Sequence, residues 1–85
     1  MSVIDDRIAV IERVLGGQPD GCTVNEILDL IRADRGAYRR LFGTASPSET
    51  AQQACRLGWK RGRLERGPCG FQAGHAYWLP REVPS

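Results

Sequence analysis

Apolar residues recur at helical spacing through the first part of the chain and at strand spacing near its end. Ile4, Ile8, Ile11 and Leu15 stand 4, 3 and 4 residues apart, which sets them on one helical face. Ser2, with Asp5 three residues later, makes a capping box at the start of that helix. Asp5 and Asp6 complement its positive end, and Gly16-Gly17 terminates it. Val3, Val10 and Val14 form a second stripe, about 100° from the first. A face this wide is covered from two sides within one chain or by a second copy. The first arrangement is the expectation for a small domain, with a homodimer through this helix as the other.

Gln18-Pro-Asp-Gly21 reads as a turn. A second helix starts at Thr23, which forms a capping box with Glu26, buries Val24, Ile27, Leu28 and Ile31, and ends near 34–36. In the segment 36–43, Tyr38, Leu41 and Phe42 are spaced for one or two helical turns that cover the core while Arg39 and Arg40 point outward. Ser46 then caps a third main helix, with Pro47 in its first turn and Glu49 completing a third capping box. On a helical wheel Ala51, Ala54, Cys55, Gly58 and Trp59 fall inward, the indole filling the space that the small residues leave. Glu49, Gln53, Arg56, Leu57 and Lys60 fall outward. Beyond Gly62 the pattern alternates: Leu64 points in between Arg63 and Glu65, and on a return strand Tyr77 and Leu79 point in. The glycine-rich stretch between them, with Phe71 and Gln72 near its tip, reads as a long loop. Pro80 and Pro84 end regular structure.

The 85 residues suffice for one domain with one small core, here residues 1–80, followed by a short tail, 81–85. No apolar run approaches the roughly 18 residues of a membrane span, and the N-terminus lacks the basic start and apolar core of a signal peptide. The expected location is the cytoplasm, or the nucleoid if the chain binds DNA. Three widely spaced cysteines, Cys22, Cys55 and Cys69, suit free thiols rather than a disulfide framework.

The net charge of +2 hides a segregation. Residues 1–31 hold two arginines against six acids, whereas residues 32–66 hold nine basic residues against three acids. The basic part suits a polyanionic partner, and eleven of the twelve basic residues are arginine, which contacts phosphate and guanine bidentately.

The order of these elements (helix, Pro-Asp-Gly turn, Thr-x-x-Glu-Ile-Leu helix, capped helix, Gly-Arg-Leu-Glu-Arg strand, Tyr-x-Leu return strand) resembles the winged helix-turn-helix superfamily over residues 4–79. The resemblance implies an α+β fold of three main α-helices and a C-terminal β-hairpin wing, with an extra short helix at 36–43. It also implies a third helix that enters the major groove of double-stranded DNA and a wing over the adjacent backbone or minor groove. The sequence departs from the superfamily's pattern at residues 35–45, where a tight turn of about 3 to 4 residues is usual.

On this resemblance Gln53, Arg56 and Lys60 are the groove candidates, since Gln can pair with adenine and Arg with guanine. Ser48 can serve a phosphate at the helix N-terminus, and Arg39, Arg40, Arg61, Arg63 and Arg66 would contact phosphates. The function implied is that of a small bacterial or phage transcriptional regulator or DNA-binding accessory factor. The alternative is a protein-interaction module of the same fold, docking an acidic partner with Leu57, Phe71 or Trp78 as apolar anchors. His75 and Cys69 are too few ligands for a metal site. No nucleophile, carboxylate-pair or phosphate-loop motif stands in the chain, so neither enzyme activity nor a cofactor is expected.

Overall fold

The computed structural model describes residues 2–68 and 75–80. They form an α+β unit in which helices pack around one core and a small antiparallel sheet closes one side. Helix α1 spans Val3–Leu15, strand β1 Cys22–Thr23, α2 Val24–Arg32 and α3 Arg35–Ala37. The chain continues from α3 as a π-helical segment, Tyr38–Phe42. Helix α4 spans Pro47–Lys60, and strands β2 and β3 span Glu65–Pro68 and His75–Trp78.

The ends of the first two helices follow from their sequences. The Ser2 hydroxyl accepts from the Asp5 N–H and donates to the Asp5 carboxylate, which is half of the expected box. At α2 the box is complete, with Thr23 and Glu26 each accepting from the other's backbone N–H. Helix α4 departs from expectation. Ser46 occupies the N-cap position, but its side chain makes no capping bond. Its φ and ψ of −131° and 77° lie off the usual cap geometry, and the Thr50 hydroxyl donates instead to the Ser46 carbonyl.

Ile8, Ile11, Ile27, Ile31, Phe42, Ala51, Ala54 and Cys55 are fully enclosed where α1, α2, α4 and the π-helical segment meet. Val10 is buried and Val14 packs against the same core, so the second stripe of α1 is covered within the chain except at Val3, which is exposed. The 35–45 connection is built into this core. Leu41 and Phe42 are buried, Tyr38 is half-buried, and the Arg7 Nε donates to the Leu41 carbonyl at 2.8 Å, tying the segment to α1. Asp34 starts it by accepting from the Ala37 N–H.

Sheet order is β1-β3-β2, all antiparallel. Cys22 and Thr23 pair with Tyr77 and Ala76, so the residues that open α2 are bonded to the return strand of the hairpin. Two residues are too short to show alternation, and β1 is accordingly absent from the pattern reading. Strand β3 is central, β1 and β2 are edge strands, and Pro68 stands at the end of β2 opposite His75, an edge position that tolerates proline. Tyr77 is buried and Leu79 packs against the core, as their alternation predicts. No helix is long and apolar enough to cross a membrane among the described residues. The tail, 81–85, and the hairpin tip with Cys69, Phe71 and Gln72 lie outside them.

Candidate nucleic-acid interface

Helix α4 positions most of the candidate residues. At about 100° per residue, its buried arc is Ala51, Ala54, Cys55 and Gly58, all closed to solvent. The opposite arc runs from Trp59 through Gln52, Arg56 and Lys60 to Gln53, and each of these is exposed. Glu49 in the first turn is the one acid on it, and Ser48, also exposed, lies beside Trp59. Gln53, Arg56 and Lys60 therefore share a solvent face at spacings of 3 and 4. Among the described residues Arg56 and Lys60 make no salt bridge. Leu57, expected outward, is half-buried at the far edge of this arc.

Trp59 corrects the wheel. It is 37% exposed rather than filling the core. The notch that small residues leave in α4 is taken by Leu64 instead. A Cβ on Gly58 would stand 2.9 Å from Leu64 Cδ1, and the Gly58 carbonyl accepts from the N–H groups of Arg63 and Leu64. Gly62, with φ of 77°, reverses the chain so that Leu64 returns onto the helix that precedes it. With that space filled, the indole stays at the rim of α4, on the side of the hairpin.

Arg66 meets it there. The guanidinium carbon lies 3.7 Å from the centroid of the Trp59 ring, and Arg66 stands opposite Tyr77 in the β2–β3 ladder. Sequence reasoning placed Arg66 near phosphate but missed the stack. A spacing of seven residues across a turn carries no periodic signal for it.

Arg61 and Arg63 are used differently. Arg61 reaches Asp5 at 2.5 Å, and Arg63 bonds Glu12 and lies 3.9 Å from Asp5. These pairs join the end of α4 to α1 and consume part of the charge segregation within the chain. The Ser2 hydroxyl first, and then Arg61 and Arg63, hold the Asp5 carboxyl below its ordinary range. The bond to Glu12 raises Arg63 further. Arg39 and Arg40 are exposed on the π-helical segment, which packs on both α1 and α4, and neither makes a salt bridge among the described residues.

The remaining candidates separate cleanly. Trp78 is half-buried, and its Nε1 donates to Glu65 at 2.7 Å on the outer face of the hairpin. His75 is exposed at the start of β3. Cys22 and Cys55 are buried and unpaired. Burial raises both thiols, Cys22 with a further contribution from Glu26 and Cys55 to about 12. No cluster of three metal-ligating side chains occurs among the described residues. The chain matches no family model, no curated protein and no solved structure.

Proposed function

We propose that this chain is a winged-helix protein that binds double-stranded DNA, with α4 in the major groove and the β2–β3 hairpin along the adjacent backbone. The observation that carries the reading is the outer arc of α4. Gln53, Arg56 and Lys60 stand on one exposed face, and neither cation has a carboxylate partner among the described residues. Gln and Arg are residue types that read adenine and guanine edges, and Lys60 suits a phosphate. The order of elements supports the same reading, because β1 bonds the start of α2 to the hairpin and fixes helices and wing as one body. The 35–45 connection enters the core and leaves the outer arc of α4 uncovered. Arg61 and Arg63, bonded to α1, serve the fold. Arg39 and Arg40 supply further phosphate contacts. A small regulator or accessory factor is the role that such a domain fits.

Fluorescence anisotropy with a labelled random duplex at low salt tests this. Arg56→Ala and Lys60→Ala each weaken binding, whereas Arg61→Ala, the same change in net charge one residue further on, leaves it nearly intact. Equal losses in all three would reduce the effect to net charge, and absence of duplex binding by the unmodified protein would end the proposal. Docking to an acidic protein has less support, since two of its three apolar anchors, Leu57 and Trp78, are half-buried.

A further inference from the structure

We infer that Trp59 is a positioning residue for Arg66, and that the pair forms a preset phosphate clamp where the rim of α4 meets strand β2. The inference rests on the duplex-binding reading and assigns within it a site that joins helix to wing. A guanidinium stacked on a ring face has its plane occupied by the ring, while its five N–H donors point outward along the plane's edge. At 3.7 Å from the ring centroid Arg66 is in that position, and it makes neither a salt bridge nor a side-chain hydrogen bond among the described residues. Arg61 and Arg63, close by in sequence, have carboxylates on theirs. Of the three arginines around the α4–β2 turn, Arg66 alone is held by a ring rather than by a carboxylate among the described residues, so its charge is not neutralised by a neighbour.

The ligand chemistry follows from that combination. A planar fork held in one orientation matches two oxygens of a phosphodiester, and it does so with less rotamer entropy lost on binding than a mobile side chain would lose. Trp59 lies beside Gln52 and Arg56 on the α4 wheel, so the clamp borders the face proposed to enter the groove. Strand β2 supplies Arg66 from the other side, its register fixed by the ladder to β3. A backbone strand running past α4 would meet Arg66 as it leaves the groove. Lysine at 66 would keep the charge but not the planar stack or the fork, so the site distinguishes two residues that simple electrostatics treats alike.

The test uses duplex affinity and its salt dependence in the full chain, with circular dichroism confirming that each variant is folded. Arg66→Lys, which retains the charge, and Trp59→Leu, which removes none, are each expected to lower affinity roughly threefold to tenfold, the scale of one charge-assisted contact. Trp59→Phe keeps a ring and is expected to recover most of the loss. In Trp59→Leu the slope of log K against log salt falls by about one phosphate's worth, a change that loss of packing alone would not produce. Should Arg66→Lys and Trp59→Leu bind like the unmodified protein while Arg56→Ala is weak, the clamp is wrong and the α4 reading stands. If the unmodified protein does not bind duplex, both fall together.

Discussion

Gly58 is where the geometry of this chain turns on a single missing methyl group. Its hydrogen faces Leu64 and Ile8, and a side chain there meets Leu64 inside a closed core. Gly58→Val is therefore expected to destabilise by about 1 to 3 kcal/mol through overpacking, read as a lowered urea midpoint with an unchanged m-value. Gly62→Ala acts through the backbone, since an alanine at φ of 77° costs roughly 1 kcal/mol. The thiols give a separate test at the same scale. Cys22 and Cys55 are buried and their thiolates are disfavoured, so neither is alkylated by iodoacetamide in the folded protein near neutral pH. Both react on unfolding, and peptide mapping distinguishes the two outcomes. Modification of Cys55 in the native state at the rate of a free thiol would contradict the core described here.

Elements are held to one another by contacts of unequal kind. Helix α1 joins α4 through Asp5 and Glu12 with Arg61 and Arg63, and joins the α2–α3 junction through Arg13 with Asp34 at 2.8 Å. Asp5 and Asp34 both have lowered folded pKa values, Asp5 chiefly through the Ser2 hydroxyl and Asp34 chiefly through the Ala37 N–H with help from Arg13. A carboxyl whose folded pKa lies below its unfolded value stabilises above the unfolded pKa, and that contribution disappears as pH falls through the folded one. Stability is therefore expected to decline on acidification below about pH 4, and Asp34→Asn flattens that decline in thermal melts across the acidic range. Arg13 and Asp34 are exposed and the Asp5–Arg61 pair is nearly half open to solvent, so these two ion pairs contribute little at neutral pH. The apolar contacts dominate: Ile11→Ala is expected to cost about 2 to 5 kcal/mol. Much of this was legible in the sequence. Capping residues and 3.6-residue periodicity predict α1 to within a residue or two and the start of α2, whose end at Arg32 falls two to four residues before the expected 34–36, and Tyr38, Leu41 and Phe42 predict that the 35–45 connection covers the core. Trp59 was misread because an indole at the edge of a stripe can turn either way, and Leu64, beyond a glycine turn, took the inner space first. The cation–π stack, the α1–α4 ion pairs and the two-residue strand β1 depend on tertiary placement, which no local pattern encodes.

At the scale of the whole molecule, ion pairs between α1 and the end of α4 consume part of the separation of acidic and basic halves along the chain. Folding brings Asp5 and Glu12 against Arg61 and Arg63, and what remains unpaired on α4 among the described residues is a shorter set, Arg56 and Lys60, with Gln53 beside Lys60 on the same face. Net charge of +2 alone would give weak, unselective attraction to a polyanion. A placed set of cations on one helix face gives a countable number of phosphate contacts, and counterion release makes that number measurable. The most direct measurement is the slope of log K against log salt for random duplex, in the unmodified protein and in the Arg56→Ala/Lys60→Ala double variant. The account predicts duplex binding whose slope becomes shallower by roughly 1 to 2 in the double variant, with Arg61→Ala retaining the original slope. Binding with the same slope in all three proteins, or no binding at low salt, would contradict it.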